Sequence, residues 1–353
     1  MPTGVCGPLE LRHLTMSSMA APDRDASAFD ALVEPYRGEL HAHCYRMLGS
    51  LQDAEDALQE ALIGAWRGFE SFEGRSSLRT WLYRIATNAC IRAGQKRPAR
   101  VLSMDHSPAF QDVWELGEWS PEVPWLEPFP ATLVDAGTPS VNPADRSEIR
   151  ESLELAFVAA LQHLPPNQRA VLILRDVFAF SAAEVAAVVD TSVASVNSAL
   201  QRARQSIATR TPSTTQTAEL ATMGEQGVAT FAASLVDAWD RADIDVLLTM
   251  LTKDVTFAMP PIPAWFDGRD AVEQFLRLRV AATPWRHLLT SANGQLALAC
   301  YQQHQPGTPL VLSAINVLTL RDGRISGVIG FLDPGITGAF GFPEIYAGPN
   351  PLP

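Results

Sequence analysis

Residues 77–95 read SLRTWLYRIATNACIRAGQ. At the helical rotation of ~100° per residue, Leu78, Leu82, Ile85, Ala86, Ala89 and Ala93 share one arc. Trp81, Arg84, Asn88, Arg92 and Gln95 fill the arc beside it. The spacing predicts a helix that starts near Ser77, with a core face next to a face of arginine, amide and aromatic side chains. A merely solvated helix would mix Glu with Lys, whereas this one has no acid. Guanidinium groups bind phosphate bidentately, amides read base edges, and an aromatic ring stacks on an unpaired base. The neighbouring arc is therefore a candidate nucleic-acid face.

The charges around this helix are segregated along the chain. The 353 residues, at roughly 150 per domain, suggest two or three domains. The formal net charge is −12, which by itself argues against a nucleic-acid partner. By segment, residues 29–74 carry nine acids and three arginines. Residues 75–100 carry seven bases (Arg75, Arg79, Arg84, Arg92, Lys96, Arg97, Arg100) and no acid. Residues 101–145 carry eight acids and no Lys or Arg. The mean hides a basic surface between two acidic ones. With 47% hydrophobic and 19% charged residues the chain reads as folded. Its four cysteines (Cys6, Cys44, Cys90, Cys300) lie far apart, so no disulfide framework, zinc site or cofactor is expected. No apolar run nears the ~18 residues that span a bilayer, and no secretory signal is visible. A reduced, cytoplasmic protein with no membrane contact is expected.

Two further helical stretches flank the acidic, Pro/Trp-rich segment. Upstream, SLQDAEDALQEALIGAWRGF (residues 50–69) starts with Ser50 and Asp53 as a capping pair. Leu58, Leu62, Ala65, Trp66 and Phe69 form its buried stripe, leaving Asp53, Asp56, Gln59 and Glu60 on other faces. Those acids are either ordinary partners of the helix dipole or a docking face for a basic partner. Downstream, FSAAEVAAVVDTSVASVNSALQRARQSI (residues 180–207) carries the S-x-x-E capping box Ser181–Glu184, a turn at Asp190–Ser192 and a second helix. There Val193, Val196, Leu200, Ala203 and Ile207 form the core arc. Ser195, Ser198, Gln201, Arg202 and Gln205 lie opposite, with Arg204 and Arg210 available to phosphates. This is the pattern of a helix-turn-helix whose second helix enters a major groove.

These residues carry a family resemblance. ELHAHCYRMLGSLQDAEDALQEALIGAWRGFESFEGRSSLRTWLYRIATNACI (residues 39–91) resembles region 2 of the extracytoplasmic-function (ECF) group of bacterial RNA polymerase sigma factors. LPPNQRAVLILRDVFAFSAAEVAAVVDTSVASVNSALQRAR (residues 164–204) resembles their region 4. One departure is Asp190 in the turn, where such modules often carry Gly. The resemblance implies a role for each block. The helix with Asp53, Asp56, Gln59, Glu60 and Trp66 would dock on core polymerase. The implied polymerase contacts are the clamp helices of the largest subunit and the flap. The loop Phe72–Ser77, with Phe72, Arg75 and Ser76, would capture a flipped base of the −10 element. Arg79, Trp81, Arg84, Asn88 and Arg92 would face the melted region. Ser195, Ser198, Gln201, Arg202, Arg204 and Gln205 would read the −35 element. Promoter DNA is thus the second expected partner.

The chain continues after region 4. MGEQGVATFAASLVDAWD onward (from Met223) reads as helices, then strands near residues 285–291, 295–302, 310–320 and 324–332. Helices on a curved sheet form an α+β cone, and WFDGRDAVEQFL (residues 265–276) resembles SnoaL-like domains of the nuclear-transport-factor-2-like fold. Asp267, His287, Asn316 and Asp333 are the polar candidates in such a cone. Asp267 and Asp333 precede Gly and Pro and read as turn residues. Trp239, Trp265 and Trp285 read as core. Catalysis is not expected; a small-molecule ligand in the pocket is left open. The linker motif VPWLEPFP (residues 123–130) resembles the W-L-x-P motif of ECF factors with this extension. Trp125, Leu126 and Pro128 are its candidate regulatory anchors, and the C-terminal domain is the expected partner in cis.

The expected fold is multidomain: two all-α sigma domains and a C-terminal SnoaL-like cone. The expected boundaries are 1–26 disordered, 27–98 region 2, 99–146 acidic linker, 147–210 region 4, 211–221 linker, 222–335 cone and 336–353 Gly/Pro tail. Two rivals to a sigma factor remain at this point: a one-component ligand-sensing helix-turn-helix regulator, and a sigma factor with a catalytic cone.

Overall fold

In the computed structural model, residues 26–135 and 150–346 are described. The expected disordered N-terminus (except its last residue), the end of the acidic linker with the first residues of region 4, and the last seven residues of the tail lie outside them. Three helices build the first module: α1 (Ala26–Leu48), α2 (Leu51–Gly68) and α3 (Leu78–Lys96). The α1–α2 corner is tight because Gly49 adopts φ +68° and the Ser50 side chain accepts from Asp53 N at 3.2 Å. A Cβ at Gly49 would stand 2.8 Å from Leu126 Cδ1, so the linker packs directly on this corner.

The second module holds α4 (Leu155–Gln162), α5 (Pro166–Leu172), α6 (Ala182–Val188) and α7 (Val193–Ala208). Pro166 starts α5, where its missing N–H costs nothing. Ser181 and Glu184 close the capping box at α6. Asp190 takes φ +52°, the left-handed conformation that Gly often supplies in this turn. Val193 is 44% exposed, so the core arc of α7 starts one turn later, at Val196.

The third module opens with α8 (Gln216–Asp240), which begins inside the polar stretch expected as a linker and breaks at Gly224. Gln216 is buried there and exchanges two hydrogen bonds with the Leu320 backbone. Helices α9 (Ile244–Met250) and α10 (Arg269–Phe275) accompany six strands. These are β1 (Leu251–Ala258), β2 (Trp265–Asp267), β3 (Trp285–Ala292), β4 (Gln295–Gln302), β5 (Val311–Arg321) and β6 (Arg324–Phe331). The sheet order is β2-β1-β6-β5-β4-β3; β1 and β6 are parallel and the other neighbours antiparallel. After a helical turn at Pro334–Gly338 the tail docks: Ile345 bridges Val311, and Tyr346 N donates to Leu310 O at 3.0 Å.

Both faces of this sheet are buried, and strand alternation sorts the side chains. On β4, Leu296, Leu298 and Cys300 join the core inside the cone. Ala297, Ala299 and Tyr301 join a second core shared with α1, α2, α3, the linker and α4–α7. On β5, Ile315 and Val317 face that shared core while Ala314 and Leu318 face the cone. The cone is therefore seated on the two helical modules. The acidic segment is no solvated spacer either: Trp125, Leu126 and Phe129 are 6%, 1% and 0% exposed.

One buried residue joins all four parts. Asn293, in the β3–β4 hairpin, accepts from Phe129 N through Oδ1 at 2.8 Å. Its Nδ2 donates to Tyr45 Oη of α1 and to the Leu153 carbonyl ahead of α4, both at 2.8 Å. Its own N–H donates to Phe129 O at 2.8 Å. Tyr45 Oη in turn donates to Glu127 O at 2.6 Å. Asn293 and Gly294 both have positive φ (55° and 69°), as a two-residue hairpin turn requires. Asn293→Gly keeps that backbone and removes only the amide. It is expected to lower stability by ~2–4 kcal/mol in urea unfolding, from three lost buried hydrogen bonds and the partners they strand.

Candidate nucleic-acid interface

Helix α3 presents the predicted face. Arg84 and Arg92 are exposed, and Asn88 and Trp81 are half-buried. Leu82, Ala86 and Ala89 are buried beneath them. Phe72, in the loop before α3, lies with its ring 4.9 Å from that of Trp81. Arg75 and Ser76 are exposed in the same loop.

The basic block is less free than its sequence suggests. Arg75 pairs with Glu73 at 3.3 Å, Arg79 with Glu39 at 3.0 Å and Arg92 with Glu60 at 2.6 Å. Arg97 and Arg100 both pair with Asp53. Among the described residues, Arg84 and Lys96 have no ion pair. Exposed pairs such as Arg75–Glu73 and Arg92–Glu60 contribute little and exchange readily for phosphate. Arg79 is different. Its guanidinium lies 5.0 Å from the Tyr83 and Phe180 ring centroids and 5.7 Å from that of Phe178. It therefore ties the first module to the second rather than facing outward, which corrects the expectation for this residue.

Two more arginines cross the same boundary. Arg46 is fully buried in α1 and donates to Ser152 Oγ at 2.7 Å and Ser152 O at 3.2 Å. Arg169 of α5 donates to the Met47 carbonyl and to Gln162 Oε1 at 2.7 Å. Burial lowers both guanidinium groups to about 10, so both stay charged at neutral pH. Sequence reasoning missed these residues, because a lone arginine in an amphipathic helix carries no sign of what it will meet.

On α7, Ser195, Ser198, Gln201, Arg202, Arg204 and Gln205 are all exposed. Arg204 is held by Asp176 through bonds of 2.9 and 2.6 Å. On α2, Asp56, Gln59 and Glu60 are exposed, joined by Ile63, which is 51% exposed and was not singled out. Two residues expected on that face are elsewhere. Asp53 is 7% exposed and neutralises Arg97 and Arg100. Trp66 packs edge-on against Phe29 at 5.2 Å. Beside the exposed acids a groove runs between α1, α2 and the cone's rim, lined by Glu34, Glu55, Asp56 and Asp333 among others.

In the linker, Arg100 donates to Trp125 O at 3.1 Å and to Glu127 Oε1 at 3.2 Å. Glu127 Oε2 also accepts from Leu51 N at 2.8 Å, capping the start of α2. The W-L-E-P segment is thereby fixed to the first module on one side and to Asn293 on the other. In the cone, Asp267 is exposed at the end of β2, and Asp333 caps its turn by accepting from Gly335 N at 2.8 Å. His287 and Asn316 face the interior cavity, together with Trp239 and Trp285, which were expected as plain core.

An acid-faced helix, a basic helix and a helix-turn-helix follow one another along the chain. Residues 32–98 match the family described as Sigma-70 region 2, residues 154–207 Sigma-70 region 4, and residues 232–328 SnoaL-like domain. The chain is 42% identical over 326 residues to "ECF RNA polymerase sigma factor SigG" of Mycobacterium tuberculosis (strain ATCC 25618 / H37Rv), covering 91% of this chain and 86% of that protein. It is 28% identical over 186 residues to "ECF RNA polymerase sigma factor SigW" of Bacillus subtilis (strain 168), covering 52% of this chain and 88% of that one. The crystal structure of the Mycobacterium tuberculosis ECF sigma factor SigJ shares the fold, with TM-score 0.53 at 22% identity over 89% of this chain and 98% of that one. This chain belongs to the ECF RNA polymerase sigma factors and carries a SnoaL-like domain after region 4. No comparison favours either rival reading. Among the described residues no helix is long and apolar enough to cross a membrane.

The boundary between regions 2 and 4 contains a titratable group. His43 bonds Thr87 Oγ1 at 2.9 Å; burial, then the charges of Arg46 and Arg79, lowers it from 6.5 to about 3. The unfolded chain takes up a proton below 6.5 and the folded chain does not until about 3, so this group removes stability as pH falls between them. Glu154, which burial raises to about 7, acts in the opposite sense, so the effect is read against a variant. The stability of His43→Gln relative to the parent is expected to rise by ~2 kcal/mol from pH 7 to pH 5, measured by urea unfolding at each pH.

Proposed function

We infer that this sigma factor docks on core polymerase through Asp56, Gln59, Glu60 and Ile63 of α2. It opens the −10 element with Phe72, Arg75, Ser76, Trp81, Arg84 and Asn88, with Arg92 released from Glu60 to phosphate. Opening a duplex costs a few kcal/mol per extruded base, and a pocket with a basic rim recovers part of it. The exposed side of α7 reads the −35 element in a major groove. The protein works in the cytoplasm, beside polymerase and chromosome.

The SnoaL-like domain is proposed to regulate this activity in cis, and the observation that carries the reading is the Asn293 cluster. Two promoter elements lie more than one ~34 Å helical turn apart. Regions 2 and 4 share one core here and are pinned by Asn293 to the linker and the cone. Promoter binding then requires that the pin release. In this reading the cone regulates: Asp333, one of the acids singled out by sequence, caps a turn, and among the described residues no carboxylate lines the cavity.

Asp56→Lys with Glu60→Lys is expected to reduce retention of the protein by immobilised core polymerase at least tenfold while leaving thermal unfolding unchanged. A helix-turn-helix regulator that does not use polymerase would show no loss. For the pin, in-vitro transcription with core enzyme on a cognate promoter is expected to rise severalfold with Asn293→Gly. Unchanged transcription together with unchanged polymerase affinity, for this variant and for deletion of residues 215–353, would remove the cis-regulatory role. The point variant is the cleaner arm, because deletion strips the sheet from an apolar face.

A further inference from the structure

A cavity of about 180 Å³ lies where region 2 meets region 4. That is well above the ~10–15 Å³ one water needs and well below the ~300 Å³ at which drug-sized sites begin, so it suits a small ion. Met47 and Leu48 close it from α1, Cys90 and Gly94 from α3, and Leu164 and Pro166 from the second module. Gly94 keeps the space open on the α3 side. A Cβ there would meet only Pro166 Cγ at 3.8 Å and Leu48 Cδ2 at 4.0 Å. Glycine inside a helix is less stable than alanine, and no crowding calls for it here. What the missing side chain leaves is the cavity.

Three guanidinium groups line this space, those of Arg97, Arg100 and Arg169. Among the described residues Asp53 is the one carboxylate in the lining, and Arg97 and Arg100 share it. Glu127, outside the lining, takes the other side of Arg100 at 3.2 Å. Arg169 is 6% exposed, and among the described residues no carboxylate pairs with it. Its Nη1 donates to the Met47 carbonyl and to Gln162 Oε1 at 2.7 Å. Its Nη2 donates to Gln162 O at 3.0 Å and Leu164 O at 3.1 Å. All four acceptors are neutral, and its buried Nε has no partner among the described residues. Burial pushes the Cys90 thiol well up, so that group adds no negative charge. Three cations thus meet two anions, and the most buried cation has none. A buried charge without a counterion and an unpaired N–H are both costly, and an anion in the cavity would relieve both.

We propose that this cavity binds a phosphate dianion, as free phosphate or as the monoester of a small molecule, between Arg97, Arg100 and Arg169. Guanidinium forks match phosphate oxygens bidentately, and Arg169 Nε gains an acceptor. The Arg97 side chain is 52% exposed, so it turns from Asp53 to the phosphate at little cost. Because the walls come from both regions, an occupant favours the arrangement in which regions 2 and 4 are joined over one in which they part. That consequence for transcription rests on the cis-regulatory reading; binding itself does not.

The test is calorimetric titration of the full chain with inorganic phosphate and with glycerol 3-phosphate, in a chloride buffer of constant ionic strength and without polymerase or DNA. At least one of them is expected to show a single saturable site. Tighter binding of glycerol 3-phosphate identifies a monoester ligand; equal or tighter binding of inorganic phosphate identifies the free anion. Arg97→Gln is expected to weaken the binding roughly tenfold, the usual loss for a charge-assisted hydrogen bond. Gly94→Leu fills the cavity and is expected to abolish binding without lowering the melting temperature. Arg97 is exposed and Gly94 half-buried, so both variants keep the buried core. The proposal is overturned if neither anion shows a saturable site, or if Arg97→Gln or Gly94→Leu binds like the parent.

Discussion

The side-chain amide of Asn293 is the point on which the arrangement turns. A buried amide has one acceptor and two donors to satisfy, and here they are met by the linker, region 2 and region 4. No partner comes from the cone, which holds the residue in place only through its hairpin. A burial of this kind is stable only when every partner is present. The cluster therefore behaves as a single catch: separating any one element strands the polar groups of the others. Glu127 extends it, since the same residue caps α2, receives Arg100 and lends its carbonyl to Tyr45.

The shared core explains the charge pattern. Acidic segments on both sides of the basic block lie within reach of it once the chain folds. Five of its seven bases pair with carboxylates that come from α1, α2 or the loop before α3. These pairs are not equivalent. Arg75 and Arg92 sit at the surface, where solvent screens the attraction and a phosphate competes on equal terms. Arg79 and Arg100 are partly buried with further partners, and their loss would leave charges without solvation. The unpaired part of the basic block is thus narrower than its charge: among the described residues it is Arg84, beside Asn88 and Trp81 on the same helix, and Lys96. The net −12 is the sum of surfaces with different jobs.

The sheet of the SnoaL-like domain does two things at once because side chains alternate along a strand. Its inner face carries Leu298, Leu318 and the polar pair His287 and Asn316 around a cavity. Its outer face carries Ala297, Ala299, Ile315 and Val317, and the small residues let the helical modules approach closely. Covering both faces makes the domain a structural part of the sigma factor rather than an appendage. It also brings Ser107 and Phe110, of the same linker that Asn293 pins, against the cone's rim at Pro263 and Trp265.

Local pattern determined a good deal by itself. The helical arcs of α3 and α7, the capping box at Ser181, the four main strands of the cone and the ordering of the two DNA-reading modules all follow from periodicity and turn chemistry, which depend on neighbours in the chain. What it could not carry was which surfaces meet. Asp53 and Asp56 lie one helical turn apart and look alike in sequence; only the fold buries the first against Arg97 and Arg100 and leaves the second exposed. Arg79 shares its helix with Arg84, yet Phe180, about a hundred positions away, decides that it holds two modules together. The polar stretch before Gly224 reads as linker until Gln216 finds the Leu320 backbone. Sequence determined the modules, because their signals are local. The tertiary structure alone decided which charges are spent inside the protein and which remain for a partner, because that depends on contacts between residues far apart in the chain.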